Sequence, residues 1–211
     1  MENHDEKKNK LVLKIAANTW ENASRDAREL SVVRELGADV IVMAKGERTG
    51  VWETVREFPV YRMSTRPLGR LAPNFLNRFF AVFTWACQAR RFNPDVISGH
   101  DLVPLFIGWL STCFRKKEHR PKLVYDSHEF TIYSGRKSRM ETFLITHLER
   151  FLIKKSAFVI EVNDLIADEV QRIHKLKKRP VVVRNIPERW NVDPAVCQKV
   201  REQSMESFRG G

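Results

Sequence analysis

Short apolar runs of strand-like composition alternate with longer runs of helical period along nearly the whole chain. The first kind comprises "LVLKIAA" (11–17), "DVIVMA" (39–44), "VREFPVYRM" (55–63, weakened by Pro59), "DVIS" (95–98), "KLVYD" (122–126), "AFVIEV" (157–162) and "PVVVRN" (180–185). These predict strands. Helices are predicted near 23–36, 73–91, 102–115, 139–155 and 164–176; Ala23, Ala27, Leu30 and Val33 recur at helical spacing, as do Leu144, Leu148 and Phe151. Ser138 and Glu141 are spaced as a capping box for the fourth helix. Asp101 and Asn163 suit the N-caps of the third and fifth.

Such alternation implies an α/β chain: a doubly wound, mostly parallel Rossmann-like sheet covered by helices. Right-handed crossovers place every parallel strand's C-terminal end on one edge, where these folds bind ligands. That edge would carry "NTWENASR" (18–25), "GHDL" (99–102), "SHEFTIYSGRKSR" (127–139) and "NDL" (163–165). The basic runs "RKKEHRPK" (115–122) and "HKLKKR" (174–179) close helices and fall at the opposite edge. There they suit helix C-terminal dipoles or an anionic membrane surface.

Composition narrows the picture only in places. At 211 residues and 43% hydrophobic content the chain can build one good-sized domain. Cys87, Cys113 and Cys197 form no C-x-x-C pair, so neither a disulfide framework nor a zinc site is expected. They read as small buried or half-buried apolar residues. The opening "MENHDEKKNK" does not resemble a signal peptide. The most apolar run, "FLNRFFAVFTWAC" (75–87), is broken by Arg78 and falls short of the roughly 20 residues that span a bilayer. A soluble, cytoplasmic protein is expected, with peripheral attachment to the inner membrane face as an option. Phe75, Phe79, Phe80, Phe83 and Trp85 on the second helix read as core or as a contact for a further domain, with a membrane-interface helix as the alternative. A net charge of +11 suggests a polyanionic neighbour. With no helix-turn-helix, zinc-finger or RNA-binding signature, nucleic acid is not the expected one.

Candidate chemistry concentrates at the predicted ligand edge. G-x-G-x-x-G and G-x-x-x-x-G-K-[ST] are both absent, and the loop after the first strand has no glycine, so a dinucleotide pyrophosphate is not expected there. Arg25, in the first turn of the following helix, could still meet one phosphate. His100-Asp101 and Asp126-x-His128-Glu129 end two strands on this edge. A histidine beside a carboxylate can be held in one tautomer and serve as base or hydrogen-bond donor. No H-x-x-x-H or fixed ligand spacing points to a metal, and no G-x-S-x-G to a hydrolase elbow.

Taken together, "SRDARELSVVRELGADVIVMAKG", "NPDVISGHDLVPLFIGWL", "KLVYDSHEF" and "ERFLIKKSAFVIEVNDLIADEV" running into "VVVRNIP" resemble the N-terminal, acceptor-side domain of a family 4 glycosyltransferase of GT-B fold. The resemblance implies transfer of a sugar from a nucleotide donor with retention of configuration, no bound cofactor or metal, and a glycan or lipid-linked acceptor. It implies a role in polysaccharide or glycolipid synthesis. By the same resemblance, His128 faces the reacting sugar, His100 and Asp101 line the acceptor side, and Arg25 lies near the phosphate end of the cleft. Asp126 and Glu129 accompany His128 as substrate-binding candidates, and Arg136 in "SGRKSR" would meet a phosphorylated acceptor.

The expected layout is a polar lead-in (1–10), the Rossmann-like domain (11–187), and a linker and helix (188–211) leading to a donor domain outside this sequence, supplied in cis or by a partner chain. Three E-x7-E spacings occur (Glu21/Glu29, Glu141/Glu149, Glu161/Glu169), none in the family's donor context. Alone, the chain would be catalytically incomplete, because one domain cannot enclose the donor. The alternative reading is a non-catalytic Rossmann-like module that docks on a membrane or partner.

Overall fold

The computed structural model describes residues 9–113, 115–127 and 138–184, together with Gln198 and Arg201. In chain order the elements are β1 (Leu11–Ala16), α1 (Ser24–Glu35), β2 (Asp39–Gly46), β3 (Trp52–Val55), β4 (Phe58–Ser64), α2 (Asn74–Arg91), β5 (Val96–His100), α3 (Leu102–Thr112), β6 (Lys122–Asp126), α4 (Arg139–Lys155), β7 (Phe158–Glu161), α5 (Asp164–His174) and β8 (Val181–Val182). The strands form one sheet in the order β3-β4-β2-β1-β5-β6-β7-β8. Every neighbouring pair is parallel except the β3/β4 hairpin. From β1 the chain winds outward through β2 to the hairpin. It then returns to lay β5 against the other side of β1 and winds the opposite way to β8. The order therefore reverses between β1 and β5, which is where doubly wound sheets open a ligand crevice.

Alternation along the strands sends side chains to two cores. Leu13, Ile15, Ile97, Leu123 and Tyr125 pack under α2, α3, α4 and α5 on one face. Val12, Ala16, Val40, Val42 and Ala44 pack under α1 on the other, with Ala23, Ala27 and Leu30 as its buried stripe. Gly99 permits the close seat of α3: a Cβ there would lie 2.6 Å from both N and Cα of Leu105. The capping box at Ser138/Glu141 and the Asn163 cap form as expected, with Glu141 N donating to Ser138 Oγ at 3.2 Å and Ile166 N to Asn163 Oδ1 at 2.9 Å.

Four expectations are corrected. The weak strand at 55–63 begins only at Phe58, as β4, while Val55 ends β3 of a hairpin, because Arg56 and Glu57 both take positive φ (50° and 65°) and reverse the chain without glycine. Asp101 occupies the N-cap position of α3 but its side chain makes no cap bond, since its backbone sits at φ 70°. Leu144, Leu148 and Phe151 are exposed; α4 instead buries Glu149, Leu152 and Ile153. Cys87 is exposed rather than buried or half-buried; Cys113 is half-buried, as expected, and Cys197 lies outside the described residues. Among the described residues no helix is long and apolar enough to cross a membrane.

Candidate functional site

At the C-terminal ends of β1, β5 and β6, on the α1 side of the sheet, six ionisable side chains share one cluster. Lys14 projects from the middle of β1 into it and is buried. Its ammonium lies 2.6 Å from Asp26 Oδ1 and 2.5 Å from Asp126 Oδ2, with Glu29 at 3.9 Å. Arg25 crosses from α1 to donate from Nη2 to Asp126 Oδ1 at 2.9 Å and from Nε to Glu29 Oε1 at 2.9 Å. His100, the last residue of β5, places Nδ1 2.9 Å from Asp26 Oδ2. A carboxylate only accepts, so Nδ1 carries the hydrogen. Nε2 is turned towards Asp101, whose Oδ2 lies at 3.4 Å.

Burial alone would lower the affinity of the Lys14 amine for its proton. The carboxylates of Asp126, Asp26 and Glu29 outweigh that and hold it above the ordinary lysine value. Glu29 is shifted up as well, first by burial and then by Asp126, against the pull of Lys14 and Arg25. Asp26, His100 and Asp126 bring potential metal donors within 4.8 Å of one another. The Lys14 ammonium already sits between the two carboxylates, in the place a cation would take.

Arg25 and Asp126, both expected at the substrate, are buried and engaged with each other, and they brace β6 against α1. Among the described residues, Arg25 Nη1 is buried with no hydrogen-bond acceptor. His100 and Asp101 stand at the rim, half-buried. Asp101 holds φ 70°, ψ −178°, a region almost reserved for glycine. His128, Glu129 and Arg136 lie outside the described residues.

The loop between β1 and α1 is fixed from two sides. Trp20, at φ 76°, is buried edge-on to Phe58. Arg62 on β4 donates to the Thr19 carbonyl, to Lys45 O at 3.1 Å and to Glu21 Oε1 at 2.6 Å. Gly46 leaves it room: a Cβ there would lie 2.7 Å from Arg62 Cβ. On the opposite face, at the end of β7, Glu161 is buried, and among the described residues neither carboxylate oxygen has a normal hydrogen bond. Burial and the nearby Glu149 and Asp126 carboxylates push it up to about 8, against the Ser127 hydroxyl and Arg25.

Sequence reasoning missed Lys14, Asp26, Glu29, Arg62 and Glu161. Lys14 did leave a signal, as a lone charge inside an apolar strand that helices cover on both faces.

A family profile described as a glycosyl transferase 4-like domain matches residues 23–185. This chain belongs to that family. Its fold, one half of a GT-B architecture, is shared with solved glycosyltransferases of low identity. HepE of Anabaena, solved in complex with UDP and glucose, superposes with a TM-score of 0.58 at 15% identity over 91% of this chain and 49% of its own. The lipopolysaccharide outer core galactosyltransferase WaaB gives 0.54 at 12%, over 87% and 47%. Sucrose-phosphate synthase of Thermosynechococcus elongatus gives 0.53 at 11%, over 82% and 47%. The chain thus spans about half the length of these structures. No curated protein matches it. The ionic cluster joins β1, α1, β5 and β6, and so lies at the reversal of strand order between β1 and β5.

Proposed function

We propose that this domain binds the sugar acceptor for a transferase that draws on a nucleotide-sugar donor and retains the anomeric configuration. The donor is held by a second domain or a partner chain, and the product belongs to polysaccharide or glycolipid assembly. One observation carries the reading: His100 ends β5 at the switch point, half-buried at the rim, with Nδ1 tied to the buried Asp26 and Nε2 turned towards Asp101. A histidine and a carboxylate held side by side at a ligand edge are groups that hydrogen-bond sugar hydroxyls. By family resemblance His128 would join them from the next loop.

Binding by the 211-residue chain tests this directly. Ligand-detected NMR with a panel of glycosides and lipid-linked sugars is expected to find an acceptor that His100→Asn weakens at least about tenfold. The chain is expected to bind UDP- and GDP-sugars weakly. Tight nucleotide-sugar binding with no acceptor binding would reverse the assignment of the two halves.

A further inference from the structure

We infer that Lys14 and Asp26 act as a positioning pair that confines the exchangeable proton of His100 to Nε2. This deepens the acceptor-binding reading and rests on it for its functional consequence. The two oxygens of Asp26 are divided between two partners. Oδ1 lies 2.6 Å from the Lys14 ammonium, and Oδ2 lies 2.9 Å from His100 Nδ1. Lys14 on β1 and Asp26 on α1 are both buried, while His100 stands half-buried at the end of β5. An ammonium at this distance favours the ionised form of a carboxylate, which has no hydrogen to give. Nδ1 therefore carries its hydrogen whether the ring is neutral or charged. Gain and loss of the second proton take place at Nε2, which is turned towards Asp101 Oδ2 at 3.4 Å. The rest of the cluster holds this arrangement in place. Asp126 draws on the same ammonium at 2.5 Å and on Arg25 at 2.9 Å, and Glu29 lies 3.9 Å from Lys14. An acceptor hydroxyl arriving at the rim would thus meet the one ring atom whose protonation changes. The imidazole could not offer its other nitrogen without breaking the contact to Asp26.

Because Lys14 and His100 take different oxygens, an isosteric change at Asp26 has a definite outcome. Asp26→Asn keeps the size of the side chain and removes its charge. An ammonium has only hydrogens to give, so Lys14 holds the amide oxygen and turns the NH2 group towards His100. That group can donate only to a bare nitrogen, so the ring hydrogen leaves Nδ1 for Nε2 and the neutral tautomer inverts. Adding Lys14→Met lets the amide rotate. Its NH2 group then turns to Asp126, its oxygen faces Nδ1 again, and the original tautomer returns. A merely structural role for the pair gives no such reversal, since the double variant has lost more contacts than the single one.

Nitrogen-15 NMR of the full 211-residue chain, labelled at histidine, tests the proposal at a pH where the His100 ring is neutral. The His100 signals are identified by their loss in His100→Asn. The parent is expected to show the Nδ1–H tautomer. Asp26→Asn should shift the tautomer ratio at least about tenfold towards Nε2–H, and the double variant should shift it back. Glycoside binding should fall at least about tenfold in Asp26→Asn and recover in the double variant. An Nε2–H ring in the parent overturns the proposal, and that reading needs no variant to fold. So does a tautomer that Asp26→Asn leaves unchanged, or one that the double variant does not restore. Inversion and return in a protein that binds no glycoside uphold the placement of the proton and count against the acceptor-binding reading alone.

Discussion

Lys14 Nζ and Asp126 Oδ2, 112 positions apart in the chain, meet at 2.5 Å with both side chains buried. The contact fastens β1, the strand that opens the fold, to the last residue of β6. Because Asp26 shares the same ammonium and also fixes His100, the position of the rim histidine depends on a lysine that no ligand need touch. Replacing Lys14 by Met should therefore leave Asp26 and Asp126 buried without their cation, at a cost of ~3–5 kcal/mol. Urea unfolding of Lys14→Met with an unchanged m-value is the check; a loss below about 1 kcal/mol would mean that water reaches the cluster.

Stability should depend on pH through Glu161. Its folded-state value of about 8 lies above the ordinary 4.5, so between those values the folded protein holds a proton that the unfolded chain has released. Stability falls as pH rises across that window and levels off above it. Glu29, also raised, adds in the same sense. Lys14, raised above its ordinary 10.5, keeps its contribution through this range and loses it only at higher pH. Glu161→Gln should flatten much of the slope and be ~3 kcal/mol more stable than the parent above about pH 8. Thermal or urea unfolding across the pH range reads this, and parallel slopes for the two proteins would count against it.

Asp101 offers a separation of stability from function. Its φ of 70° with ψ near 180° is nearly glycine-only, and its side chain gives no cap bond in return. Asp101→Gly should stabilise the fold by about 1 kcal/mol, while Asp101→Ala, which keeps a Cβ, should not. Both should weaken acceptor binding if the carboxylate beside His100 takes part. Unfolding midpoints and binding isotherms for the pair make the comparison.

Gly99→Ala should cost about 1–3 kcal/mol, because the added methyl would press on the Leu105 backbone and push the start of α3 off β5. A neutral result would show that α3 can slide.

The layered fold was legible because its signals are local. The helices begin and end near the limits set by their period, and the capping box at Ser138 marked α4 outright. The β3/β4 hairpin was not legible, since Arg56-Glu57 carries none of the glycine, asparagine or aspartate that normally announces such a turn. The α4 stripe misled for a different reason. Leu144, Leu148 and Phe151 have the period of a helix, but period does not say which side faces the sheet. At the site, His100 and Asp101 could be placed at the ligand edge from strand ends alone. The ionic partners could not, because pairing between Lys14, Asp26 and Asp126 depends on which strands become neighbours at the reversal of the sheet.

The most direct test is sugar transfer by the complete protein purified from the cells that make it, assayed with a panel of labelled nucleotide sugars and an extract of cellular glycolipids and glycans. At least one donor should be used, and His100→Asn, which retains a donor towards Asp26, should lower kcat by ~100-fold or more with its unfolding midpoint unchanged. Transfer that proceeds equally well without His100, or no transfer from any donor, would contradict the account.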